Sequence, residues 1–216
     1  SQYEYGEMFA RYANEYDAVV QITIGANFSC CYQNACAAAQ EYENVFVVDS
    51  ENLSTGQGLL VVAAAKLAEQ GLSGAEIAER VRALAPKVEA SFLIECLDYM
   101  RKGGRCSAVA ALGANLLHLK PCIEVRNGKM AVCKKYRGSF EKCIRQYVKE
   151  RLDGREDIAP ELAFITHAAA DANVVAAAKE EAAQYGSFET VEETQAGCTV
   201  SCHCGPNTLG ILFVRK

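Results

Sequence analysis

Apolar residues recur along this chain with two alternating periods, one helical and one extended. In residues 6–16 the large apolar side chains Met8, Phe9, Tyr12 and Tyr16 fall at helical spacing. Residues 18–24 form a short β-rich run ended by Gly25-Ala26-Asn27, and the Ala- and Cys-rich stretch 29–42 predicts a helix. Residues 45–48 give a second buried strand closed by Asp49-Ser50. Two further helices are expected over 56–70 and 73–84, the second with Ser73 as cap and Glu76 three residues on. Strand, helix, strand, helix in this order implies parallel strands joined by right-handed crossovers.

Pro86 interrupts the pattern. Beyond it, 88–94 reads as a strand, 95–102 as a short helix stopped by Gly103-Gly104, and 108–117 as another helix. Asn127-Gly128 between the alternating runs 121–126 and 129–133 is a strong two-residue hairpin signal. A helix over 139–151, a polar linker, a strand over 162–166, a helix over 171–185 and strands over 188–192 and 209–214 complete the chain. The fold class is therefore α/β in two domains. Residues 1–86 are expected to form a parallel-sheet domain, and 87–216 an α/β domain whose mixed sheet contains the hairpin.

Composition narrows what such a fold does. Of 216 residues, 50% are hydrophobic and 23% charged, which excludes intrinsic disorder as the main state. The longest apolar stretch, 59–65, ends at Lys66 and is too short to span a bilayer. A net charge of −5 argues against a dedicated nucleic-acid binder. Eleven cysteines, an odd number with no basic segment leading into an apolar one at the start, do not read as a disulfide framework. Cys36, Cys96, Cys122, Cys133 and Cys143 lie in apolar or helical runs, where a reduced thiol behaves as a small hydrophobe. The expectation is a reduced, cytoplasmic protein.

Three stretches carry candidate chemistry. Gly25-Ala26-Asn27-Phe28-Ser29 follows a parallel strand, at the sheet edge where α/β proteins bind ligands. Ser29 is expected at the N-cap of the next helix, where it either caps that helix alone or adds a hydroxyl to an anion site. The segment 198–206 holds Cys202-His203-Cys204. Neighbours in a strand point to opposite faces and no second Cys pair completes a tetrahedral set, so no metal is expected. His203, at a strand end before Gly205-Pro206, reads as a group facing a pocket or as a surface histidine. Two basic clusters, Arg101-Lys102 with Arg105 and Lys134-Lys135 with Arg137, offer a landing site for phosphate or an acidic partner. His118 and His167 read as structural. No nucleophile elbow, phosphate-binding loop or metalloprotease motif is present. These residues suggest binding; the rival reading is a thiol-dependent enzyme using Cys204 or Cys30 near His203.

Six motifs in order resemble a known family. Ile22-Thr-Ile-Gly-Ala-Asn-Phe-Ser-Cys-Cys-Tyr-Gln33 resembles its strand and serine-rich loop, and Val47-Val-Asp-Ser50 with Gly56-Gln-Gly58 its next strand and helix entry. Leu97-Asp-Tyr-Met-Arg-Lys-Gly-Gly-Arg105 is similar to its Leu-x-x-Leu-x-x-Gly-Gly-Arg signature. Leu119-Lys-Pro121, Lys135-Tyr-Arg-Gly138 and His203-Cys-Gly-Pro206 follow in sequence. The family is DegV, bacterial fatty-acid-binding proteins that present acyl chains to a fatty acid kinase and so serve phospholipid metabolism. The resemblance implies a long-chain fatty acid in a tunnel between the two domains, its carboxylate held by Ser29, Asn27, Ala26 and His203. It implies no cofactor and no catalytic residue, transient membrane contact at most, and a kinase partner docked by Arg105 and Arg137. It also implies a leading strand with a Thr-Ser-Gln loop, of which this chain starts at Ser1-Gln2. Cys31 stands where the family has threonine.

Overall fold

The computed structural model describes residues 1–104 and 119–216. Its Cα packing falls into two compact units, Ser1–Val88 with Asn127–Lys129, and Glu89–Arg126 with Met130–Lys216.

The first unit is built on two parallel strands, β1 (Val19–Thr23) and β2 (Val45–Asp49), paired from Val19 opposite Val45 to Thr23 opposite Asp49. Around them lie α1 (Gln2–Glu15), α2 (Cys31–Ala39), α3 (Ser54–Glu69) and α4 (Gly74–Leu84). Helix α1 starts earlier than its apolar spacing suggests. Ser1 Oγ accepts from the Glu4 amide and the Glu4 side chain returns to the cap, closing a capping box. Ser73 and Glu76 form the same box on α4, as expected from the sequence. Asn44 Nδ2 donates to the carbonyls of Ala13 (2.9 Å) and Tyr16 (3.2 Å), satisfying orphan acceptors at the end of α1. Phe9, Ala35, Ala38, Val45 and Val47 form the core on the α1/α2 side. Along β1, α3 and α4 runs an open groove of about 960 Å³ lined by apolar residues including Val20, Ile22, Val61, Ala65 and Ile77.

The second unit carries a six-stranded sheet of order β5-β4-β3-β8-β6-β7. Its strands are β3 (Val88–Leu93), β4 (Leu119–Arg126), β5 (Lys129–Arg137), β6 (Ile158–Ala168), β7 (Val191–Gln195) and β8 (Thr208–Arg215). The sheet is mixed: β3 pairs antiparallel with β4, β6 antiparallel with β8 and β6 parallel with β7. Asn127 and Gly128 turn the hairpin with φ of 50° and 67°, the left-handed pair a two-residue turn needs. Strand β6 starts before 162, accommodating Pro160 at a register shift between Ile158 and Ala163. Strand β7 lies three residues beyond the expected 188–192, because Phe188 turns into the core, 5.8 Å from the Phe213 ring.

The helices of this unit are α5 (Asp98–Gly103), α6 (Phe140–Leu152), α7 (Ala172–Tyr185) and α8 (Cys198–Cys204). Their main core gathers Leu93, Ile144, Tyr147, Ile165, Leu209 and Phe213. At its centre the buried Tyr147 hydroxyl donates to the Ser91 carbonyl (2.7 Å), accepts from the Ile211 amide (3.1 Å) and meets Ser91 Oγ at 2.8 Å. Two expectations change. The segment holding Cys202-His203-Cys204 is a helix, not a strand end. Cys133 is exposed on β5 rather than buried, because β5 is an edge strand with a neighbour on one side only. The expected helix over 108–117 lies outside the described residues. Among the described residues no helix is long and apolar enough to cross a membrane.

Candidate functional site

In the first unit the loop after β1 is held from below by the loop after β2. Asp49, the last residue of β2, accepts on Oδ1 from the amides of Ala26 (3.1 Å) and Glu51 (2.9 Å). The Gly25 amide donates to the Asn52 carbonyl at 2.7 Å. Ser50 is fully buried and exchanges bonds with Asn52, its Oγ accepting from the Asn52 amide (3.1 Å) and donating to the Asn52 carbonyl (3.0 Å). Glu51 and Ser54 take φ of 52° and 51°, a left-handed conformation that non-glycine residues hold only when their surroundings impose it. Asp49, Ser50 and Asn52 are the positioning residues that sequence reasoning missed. Their signal was the polar run closing a buried strand.

Ser29 is not the N-cap of α2; Cys30 occupies that place, with no side-chain cap bond. The chain makes a tight turn from Gly25 to Phe28, whose amide donates to the Gly25 carbonyl, and this carries Ser29 one residue ahead of the cap. Ser29 Oγ accepts from the Cys31 amide (3.3 Å) and donates to Cys31 Sγ (3.1 Å). Burial, followed by a hydrogen bond with Cys31, pushes the Tyr5 hydroxyl up to about 12, so it stays a neutral donor. Thiol sulfur is a weak acceptor, so the Ser29 hydroxyl proton is easily drawn to a carboxylate. Ala26, Asn27 and Ser29 thus share one turn. The Ala26 amide is committed to Asp49, Asn27 is exposed, and Ser29 is half-buried. None of the three lines the groove along β1.

In the second unit His203 lies in the last turn of α8, half-buried against α5. A Cβ added to Gly103 would overlap the His203 ring at Nδ1, so the last residue of α5 must be glycine for the imidazole to sit there. Gly104 caps α5 with φ 63°, its amide donating to the Met100 carbonyl at 3.3 Å. Met100 and Cys204 are buried together with Ile94 and Ile123, and Leu97 packs on them. Successive residues of a helix point about 100° apart. Cys204 therefore enters this core while Cys202 faces solvent, and the two do not flank His203 as a set. Among the described residues no group of three or more His, Cys, Asp or Glu side chains is arranged to hold a metal.

The remaining sequence candidates divide. Arg105 and His118 lie outside the described residues. Arg137 is exposed at the end of β5. Tyr136 beside it is buried, its hydroxyl donating to Glu150 Oε2 at 2.6 Å. Lys120 reaches the Glu95 carboxylate at 3.5 Å, and Glu95 also accepts from Asn207 Nδ2 at 2.7 Å. His167 is buried with Nδ1 accepting from the Ala170 amide (3.2 Å), which leaves Nε2 to donate to Glu193 (3.2 Å). It has a carboxylate partner that the sequence did not reveal, contributed by β7 in its pairing with β6.

This arrangement has known counterparts. All of residues 1–216 match the family described as "Uncharacterised protein, DegV family". A DegV domain-containing protein of Clostridium acetobutylicum is 32% identical over 216 residues, covering 98% of this chain and 75% of its own. A solved Thermus thermophilus DegV family protein, described by its fatty acid binding, is similar with a TM-score of 0.88 and 27% identity, over 100% of this chain and 77% of that one. A Thermotoga maritima structure described as revealing fatty acid binding function has a TM-score of 0.80 and 26% identity, covering 99% and 75%. The full-length family match, together with the 32% identity to a relative of which it spans three quarters, shows that the chain belongs to the DegV family.

Proposed function

We propose that this protein binds a long-chain fatty acid and presents its carboxylate to a fatty acid kinase. The observation that carries the reading is the whole-chain similarity to the Thermus thermophilus protein described as binding fatty acid. The turn geometry supports it. A desolvated carboxylate needs several donors, and the Ser29 hydroxyl, the Asn27 side chain and the His203 imidazole are of the right kind. The Ala26 amide already serves Asp49, so Ala26 contributes by holding the turn rather than by donating to ligand. The acyl chain supplies most of the affinity, at about 0.8 kcal/mol per buried methylene. The chain contributes no catalytic group of its own; the kinase holds the nucleotide, and Arg137 and Arg105 dock it. Loading from a bilayer requires only transient contact.

Native mass spectrometry of the purified protein tests the binding. The expected result is a co-purified acyl chain, or uptake of added oleate, lost in Ser29→Ala and His203→Ala. A protein that carries no acyl chain and takes up none overturns it. For presentation, a fatty acid kinase with ATP should form acyl phosphate only when this protein is present. Arg137→Glu should lower that rate with acyl binding unchanged, and an equal rate removes Arg137 from the docking surface.

A further inference from the structure

Strands β4 and β5 meet at a two-residue turn, so Arg126 faces Lys129 and, four residues back on each strand, Cys122 faces Cys133. The contacts agree: Cys133 Sγ donates to the Cys122 carbonyl at 3.4 Å. Arg151 of α6 reaches over both, its Nη2 at 3.0 Å from Cys133 Sγ and 3.7 Å from Cys122 Sγ. That arginine is held in place by Glu89 of β3 at 3.5 Å and Glu124 of β4 at 3.3 Å. Cys122 is fully buried and Cys133 is exposed, so one thiol of the pair meets solvent and the other is protected.

We propose that Cys133 and Cys122 are a hydroperoxide-responsive thiol pair, Cys133 attacking, Cys122 resolving, and Arg151 holding the attacking thiolate. The Cys133 thiolate displaces on the O–O bond of a hydroperoxide, forming S–O and releasing the other oxygen, which takes up a proton to leave as water or an alcohol. The Cys122 thiol then attacks the sulfenic sulfur, forming S–S and releasing water with its own proton. Two thiols and one hydroperoxide give one disulfide, one water and one water or alcohol. Opposed Cβ atoms stand about 4.5–5.5 Å apart and a disulfide wants about 3.5–4.5 Å, so the edge strand β5 must draw inward. A disulfide closed under such tension is readily reduced, which makes the response reversible.

The groups facing Cys133 set its ionisation. The hydrogen bond from Cys122 and the Arg151 charge lower it to about 7, against burial and the Glu124 carboxylate; the same bond and deep burial push Cys122 up. The pair therefore loses its first proton from the exposed sulfur.

Competitive labelling of the intact protein with limiting iodoacetamide, read by peptide mass spectrometry, tests this directly. At pH 7 Cys133 should alkylate about tenfold faster than the exposed Cys198 and Cys202. With one equivalent of hydrogen peroxide the mass should fall by two hydrogens, with a Cys122–Cys133 linked peptide released by dithiothreitol. Cys122→Ser should instead leave a sulfenic acid on Cys133 that dimedone traps. Labelling of Cys133 no faster than Cys198 and Cys202, or peroxide giving neither link nor trapped sulfenic acid, overturns the proposal.

Discussion

Gly103 makes the room that His203 occupies. A Cβ at Gly103 would clash with the imidazole at Nδ1, where the last residue of α5 meets the last turn of α8. The Leu-x-x-Leu-x-x-Gly-Gly-Arg resemblance acquires a physical meaning here. Leu97 and Met100, three apart, pack one face of α5 on the Cys204 core. Gly103, three further on, lets the histidine approach, and Gly104 turns the chain in the left-handed region.

Gly103→Ala should displace the His203 ring. Fatty-acid affinity is expected to fall at least about tenfold, with a stability loss of about 1–3 kcal/mol from overpacking. Gly104→Ala, whose Cβ would meet nothing within 4 Å, should show only the strain of its positive φ, about 1 kcal/mol, and keep its affinity. Fluorescent fatty-acid titration beside thermal unfolding separates them; equal affinities for the two variants contradict this role.

Asp49→Ala should release both the Ala26 and Glu51 amides at once. Two orphaned donors at a partly buried edge correspond to about 1–3 kcal/mol, and the Ser29 turn loses its anchor. Asp49→Asn keeps a carbonyl acceptor and should retain most of both stability and fatty-acid binding. Urea unfolding of the pair checks the order, which is Asn above Ala.

Tyr147→Phe removes the hydroxyl that joins Ser91 on β3 to Ile211 on β8. The Ile211 amide and Ser91 Oγ stay buried without that partner, and about 1–3 kcal/mol should be lost. Hydrogen exchange at the Ile211 amide should quicken selectively. An unchanged midpoint in urea would mean that water enters the space left by the oxygen.

Acid should weaken the β5–α6 contact. Burial raises the Glu150 carboxyl, but hydrogen bonds from Lys134, Tyr136 and Gln146 outweigh it and hold the group below its usual 4.5. A depressed carboxyl contributes stability that is complete above the unfolded value and is lost as pH falls through the lower folded one. Tyr136→Phe should therefore flatten the acid limb of a stability–pH curve below about pH 4.5, with a loss near 1 kcal/mol at neutral pH. Because Glu150 is a third exposed, solvent screening keeps the charge contribution small.

The two sheets and most helices were legible in the chain because they rest on local repeats. Alternation placed β3, β4 and β8, the Asn127-Gly128 pair fixed the hairpin, and Ser73 with Glu76 marked α4. Where a local signal competed with packing, the reading shifted. Phe188 was drawn into the core and moved β7 along, and Cys198 to Cys204, read as extended, coiled into α8 against α5.

By itself the sequence determined the α/β alternation, the hairpin, and the motifs whose order carries the family resemblance, since each is a property of near neighbours. Only the tertiary structure decided the chemistry of particular side chains. Ser29 bonds to Cys31 rather than capping α2, and the Ala26 amide goes to Asp49, 23 residues away. Cys133, in an apolar run, is an exposed thiol on the sheet's edge strand, and its partner Arg151 comes 18 residues later from α6. Periodicity reports which face a residue occupies; burial, charge and hydrogen-bond partners depend on what another element brings to that face.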